Sequence, residues 1–144
     1  MSQIMAVTGP INIEELGFTS MHEHVLYDGS FFRERFAPFL PEDPPVKPYE
    51  KINLSNLASL RHGIIQADTV IKTEDVDLLA AELSDFKNEG GSAVVDMSTP
   101  GLRVNPELTR QVSEKSGISI VATTGLYSRD SWPEQFHGMT ENEM

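Results

Sequence analysis

"SAVVDMSTPGLRVNPELTRQVSEKSGISIVATTGLY", residues 92–127, decides the fold class of this chain. Its two ends, "SAVVDMSTPG" and "ISIVATTGLY", are short, nearly continuous apolar runs of buried-strand type that close in turns. Between them Asn105 is a good N-cap, Pro106 fits the first helical position and Gly117 closes the helix. Apolar strands joined through a helix imply parallel pairing with right-handed crossovers, and so an α/β class.

The same logic extends upstream. Thr73, read as an N-cap, precedes "EDVDLLAAELSDFKNEGG", with acidic residues in the first turn, Leu78, Leu79, Leu83 and Phe86 at helical spacing, and Gly90-Gly91 as the stop. "GFTSMHEHVL" is of strand type, with the strand placed over 17–22. The opening "SQIMAVTGPINIEELG" carries a turn signal at Gly9-Pro10 between two semi-apolar runs, which predicts a small hairpin. "LSNLASLRHGII" has the spacing of a short helix. From Asp28 to Tyr49, five prolines and four phenylalanines exclude a long helix or a central strand, leaving a long loop. Such a loop is either a binding element or a surface excursion anchored by its phenylalanines.

At 144 residues the chain has room for one ordinary domain with a real core. A formal net charge of −11 argues against nucleic acid or an anionic membrane as partner, because both require clustered Lys and Arg. No run of about 18 apolar residues suggests a membrane span, and Met1-Ser2-Gln3 does not begin a signal peptide. The default expectation is therefore a cytoplasmic protein. With no cysteine, any metal would have to use nitrogen and oxygen ligands.

The residues most suggestive of chemistry are His22 and His24, at the end of the strand-type "GFTSMHEHVL". Residues i and i+2 of a strand share a face, so both imidazoles point one way and Glu23 the other. At the C-terminal mouth of a parallel sheet, that pair suits a zinc-like divalent ion. Two imidazoles do not complete such a site, and surface histidines or a hydrogen-bonded core pair also fit the pattern. Asp96, ending "AVVDMS", reads as hydrogen-bonding support at the same mouth. His62 reads as surface, and His137 lies in a late loop with no visible partner. No nucleophile elbow or P-loop is present.

Thr140 with Glu143 three positions on is a capping-box signature, yet the sequence stops at Met144. Three parallel strands would also leave an apolar edge unpaired. The reading of residues 1–144 is thus a single incomplete domain.

"GFTSMHEHVL", "VVDMSTPGLRVNPELTRQVSEKSGISIVATTGLY" and the tryptophan that follows resemble the phosphotriesterase family of the amidohydrolase superfamily, which includes phosphotriesterase-related proteins and phosphotriesterase-like lactonases. The resemblance implies the N-terminal part of a (β/α)8 TIM barrel, about three strand-helix units after the hairpin, where a whole barrel needs roughly 250 residues. It implies a metal-dependent hydrolase acting on a small-molecule phosphotriester, lactone or related ester or amide, with zinc or a similar divalent metal, two ions per complete site. His22 and His24 match two metal ligands, while the bridging lysine and remaining ligands lie beyond Met144. Tyr127, with Trp132 nearby, falls at the substrate wall. Alone, the chain is expected to be inactive. The contrasting expectation is a complete short half-barrel without catalysis, a possible homo-oligomer or partner-binding chain.

Overall fold

The computed structural model describes residues 2–43, 51–61, 71–140 and 143. It begins with an antiparallel hairpin of β1 (Gln3–Ala6) and β2 (Gly9–Asn12), in which Ala6 pairs with Gly9 and Met5 with Pro10. The turn is therefore Val7-Thr8 rather than Gly9-Pro10. Gly9, at φ 124°, takes a conformation that favours glycine directly after the turn, and Pro10 is carried into the second strand.

Next come β3 (Phe18–Glu23) and a two-residue strand β4 (Tyr27–Asp28), which pairs with β5 (Lys72–Thr73). The aromatic stretch expected to be a loop instead folds a short helix, α1 (Phe31–Phe36), and a 3-10 turn over Ala37–Phe39, with Pro38 inside that turn. A proline is tolerated in a first turn because its missing N–H would have no partner there. Residues 44–50 of that stretch lie outside the described residues, as does His62. The short helix read in "LSNLASLRHGII" is α2 (Leu57–Arg61).

The helix expected after Thr73 is α3 (Val76–Asn88), and its N-cap is Asp75, whose carboxylate accepts the Leu78 amide at 2.9 Å. Thr73 is committed to the β4–β5 ladder and so is not free to cap. Leu79, Leu83 and Phe86 pack against the core, but Leu78 is exposed. Then β6 (Gly91–Asp96), α4 (Pro106–Ser116) and β7 (Ser119–Ala122) follow as read. The Asn105 side chain accepts the Glu107 amide at 2.9 Å, and Gly117 ends α4 at φ 68°, a left-handed conformation that glycine adopts at no steric cost.

The sheet order is β3-β6-β7, parallel throughout. Between the strands and α3 and α4 sits a core that includes Leu26, Val94, Val112, Ile118 and Ile120. Burying one such side chain contributes about 1.5–3 kcal/mol. The hairpin reaches the far end of this sheet, where the Val7 amide donates to the Ile120 carbonyl at 2.8 Å. Late in the chain, the Glu143 carboxylate accepts both the amide and the hydroxyl of Thr140 at 2.8 Å, so the threonine hydroxyl donates and does not cap a helix start. Among the described residues no helix is long and apolar enough to cross a membrane.

Candidate functional site

A one-residue register slip marks the histidine pair. Ser20 pairs with Val94 and Glu23 with Asp96, so three steps on β3 run beside two on β6. A bulge of this kind re-aims side chains at the end of a strand. His22 and His24 nevertheless emerge together: their ring centroids lie 5.7 Å apart at an interplanar angle of 74°. Both line an open cavity of about 330 Å³ with Tyr27, Phe32, Met97, Thr99, Leu102 and Tyr127. Glu23 turns to the other side, where it accepts from the Ser20 hydroxyl at 2.5 Å and lines a groove with Glu82 and Leu83. The sequence-level alternation thus gives the right faces although a bulge interrupts it.

Beneath the histidines, Asp96 is fully buried. Its Oδ1 accepts the amides of Ser98 at 3.0 Å and Val25 at 3.4 Å, and Arg103 Nε approaches Oδ2 at 3.6 Å. Arg103 also donates to the Thr123 carbonyl at 2.9 Å. The carboxylate therefore ties the end of β3, the loop after β6 and, through Arg103, the end of β7. This is the supporting role expected of it. Ser98, also fully buried, places its hydroxyl 3.1 Å from His24 Nδ1.

The cavity wall is aromatic. Tyr27 lies against His24 with ring centroids 5.0 Å apart, and Phe31 meets Tyr127 at 6.3 Å. Burial, then the neighbouring Tyr127 and Asp28, push the Tyr27 hydroxyl above its ordinary pKa. It stays protonated near neutrality. Arg35 of α1 reaches Asp130 at 3.6 Å, holding the aromatic helix to the segment after β7.

Of the four residues that the resemblance assigns to metal or substrate, His22, His24 and Tyr127 share this cavity. Trp132 does not: it lines a separate hollow of about 340 Å³ with Pro100, Gly125, Leu126 and Phe136, and its Nε1 donates to the Tyr127 carbonyl at 3.1 Å. His137 has a partner after all, the Trp132 carbonyl at 3.0 Å from its Nε2. Tyr27, Phe32 and Ser98 went unnoticed in the sequence. Tyr27 follows His24 by three positions, a nearness that hinted at its place; Ser98 carried no signal of its own.

Neutral imidazole nitrogens on an open cavity are suitable donors for a zinc-like ion, so the residues present fit part of a metal site. No group of three or more His, Cys, Asp or Glu gathers among the described residues, and the donor set is incomplete at two.

A model of the phosphotriesterase family matches residues 2–142. A phosphotriesterase-related protein of Aedes aegypti is 34% identical over 151 aligned residues, covering all of this chain and 40% of the relative. The crystal structure of a resiniferatoxin-binding protein from Rhodobacter sphaeroides superposes with a TM-score of 0.82 at 30% identity, over 95% of this chain and 37% of the other. A phosphotriesterase from Mycobacterium tuberculosis shares the fold at a TM-score of 0.58 and 24% identity, over 94% of this chain and 33% of its own. The chain thus spans well under half the length of these proteins.

Proposed function

This chain belongs to the phosphotriesterase family, and from that premise we propose that it carries the first two imidazole ligands of a metal-dependent hydrolase. The observation that supports this reading is the pairing of His22 and His24 at one cavity, their rings 5.7 Å apart. The fold is the N-terminal part of a (β/α)8 barrel, whose strand ends build active sites.

His22 and His24 would hold a zinc or similar divalent ion, in a site that is complete with two ions. Such an ion, when bound, polarises the bond to be cleaved and lowers the pKa of water. The chain's own contribution is positional. Asp96 fixes the loop below the histidines, and Tyr27, Phe32 and Tyr127 form a wall that restricts water and receives the apolar part of a small-molecule phosphotriester, lactone or related ester or amide. Trp132 takes part in substrate binding only if the substrate extends into the adjoining hollow.

Two nitrogen donors supply neither the third ligand nor the charge that a catalytic zinc site requires. The 144-residue chain is therefore expected to bind zinc weakly and to turn over no ester. The direct test joins it to the remaining portion of a full-length relative. Replacing His22 and His24 by alanine should abolish metal-dependent hydrolysis by the chimera; unchanged turnover would remove them as ligands.

A second reading is an assembling chain without catalysis. It is supported by Phe18 and Met21 on β3, exposed at 70% and 69%. It requires concentration-dependent oligomers in light scattering, and a monomer at all concentrations would end it.

A further inference from the structure

Five positions after His24, Gly29 is glycine for reasons of space. Its φ is not positive, so no left-handed backbone requires glycine there. A Cβ at this position would lie 2.6 Å from the Tyr27 hydroxyl oxygen and 2.7 and 2.8 Å from two carbons of its ring. The phenol therefore lies directly against the Gly29 backbone. The same ring is centred 5.0 Å from the His24 imidazole, at an interplanar angle of 50°, and lines the histidine cavity. The main chain on both sides is tied down. The Gly29 amide donates to the Ile71 carbonyl at 2.7 Å, its carbonyl accepts the Phe32 amide at 2.9 Å, and the Asp28 amide donates to the Leu102 carbonyl at 2.8 Å. Tyr27 itself pairs with Thr73 and bridges to Arg103. Moving this backbone would break several hydrogen bonds at once, whereas a side chain can change rotamer without breaking any of them.

We infer that Gly29 is a positioning residue for the histidine cavity: the side chain it lacks is the room in which the Tyr27 ring lies, and that placement sets the ring against His24. A methyl group at position 29 displaces the ring and leaves the fold in place. The displaced phenol no longer supports the imidazole, and a functional side chain is only as well placed as the groups that lock its rotamer. The inference rests on the reading of His24 as a metal ligand only for its purpose, since the ring packing belongs to the metal-free chain.

The test is NMR of the 144-residue chain without metal, read at the ring protons of His24. The unsubstituted chain is expected to show through-space cross-peaks between the Tyr27 and His24 rings. Gly29→Ala should lose them and shift the His24 ring resonances, while the amide spectrum stays that of a folded chain. In a Tyr27→Leu background, whose shorter side chain no longer covers residue 29, the same Gly29→Ala change should leave the His24 resonances where they are. A glycine that served the backbone alone would not show that dependence. Cross-peaks absent from the unsubstituted chain overturn the inference, as do cross-peaks that survive in a folded Gly29→Ala chain or an equal shift of His24 in the Tyr27→Leu background. An unfolded Gly29→Ala chain overturns it as well, because the backbone would then have yielded in place of the ring. A zinc titration keeps the two readings apart: if neither histidine responds while Gly29→Ala still removes the cross-peaks, the metal reading fails and the positioning role stands.

Discussion

Arg103 and Asp96 face each other across 3.6 Å at the base of the histidine cavity, the carboxylate fully buried and the guanidinium nearly so. Breaking one side of such a pair leaves an uncompensated charge, at a cost of about 3–5 kcal/mol. Asp96→Ala is expected to reach that range in urea unfolding, since two buried amides also lose their acceptor. Asp96→Asn retains an oxygen for those amides and should cost less than the alanine variant. Equal losses would show that the amide bonds contribute little.

The loop carrying Ser98 is also constrained at Gly101. Gly101 and Gly90 have similar positive φ, 94° and 98°, so alanine imposes comparable backbone strain at each, about 1–3 kcal/mol. A Cβ at 101 would lie 1.8 Å from the Ser131 carbonyl oxygen, whereas one at 90 meets nothing within 4 Å. Gly101→Ala should therefore lower the thermal midpoint clearly more than Gly90→Ala. Matching midpoints would mean that the segment around Ser131 yields freely.

Core and edge positions should separate just as clearly. Ile120, with no exposure, is expected to cost about 2–5 kcal/mol when cut to alanine. Met21, at 69% exposure, should stay within about 0.5 kcal/mol. Denaturant midpoints of the two variants check this, and a large loss at Met21 would reveal a contact that the isolated chain does not show.

The β4–β5 ladder predicts a pH dependence. Asp28 Oδ2 lies 2.9 Å from Lys72 Nζ. Partial burial pushes this carboxyl up, but hydrogen bonds from Ser30 and Lys72 and the lysine charge outweigh it and hold the pKa below its ordinary value. Lys72 is held above its own by hydrogen bonds to Asp28 and Glu74. The aspartate contribution is complete above the unfolded pKa of about 3.9 and is lost as pH falls through the lower folded value. The lysine contribution is complete below about 10.4 and is lost as pH rises through the higher folded value. Lys72→Met should raise the Asp28 midpoint in carboxyl NMR; a midpoint that does not move would contradict the pairing.

The strands and helices from Val76 to Ala122 were legible because each carries its own signal: apolar runs for β6 and β7, Asn105 and Gly117 at the ends of α4. Errors arose where two partners competed for one residue. Thr73 has the chemistry of a cap, but pairing with Tyr27 claims it, and Asp75 takes the task. Phe31–Phe36 sits in a proline-rich stretch whose composition suggested a loop, although its own six residues contain no proline and close a helical turn. At the site, the i and i+2 spacing placed both histidines on one face. The Ser98 contact spans 74 positions, and no local pattern announces such a partner. The separation of Trp132 from the histidine cavity likewise depends on how the segment after β7 folds back.

The Val7–Ile120 hydrogen bond has a consequence for the order of events during synthesis. The hairpin precedes the sheet in the chain, but its acceptor belongs to β7, so the joint cannot close until Ile120 has been made. Contacts between such distant positions carry a large loop-closure cost and slow folding. The hairpin therefore waits for β7 to be made, and in that interval the amide of Val7 lacks the acceptor it has in the folded chain.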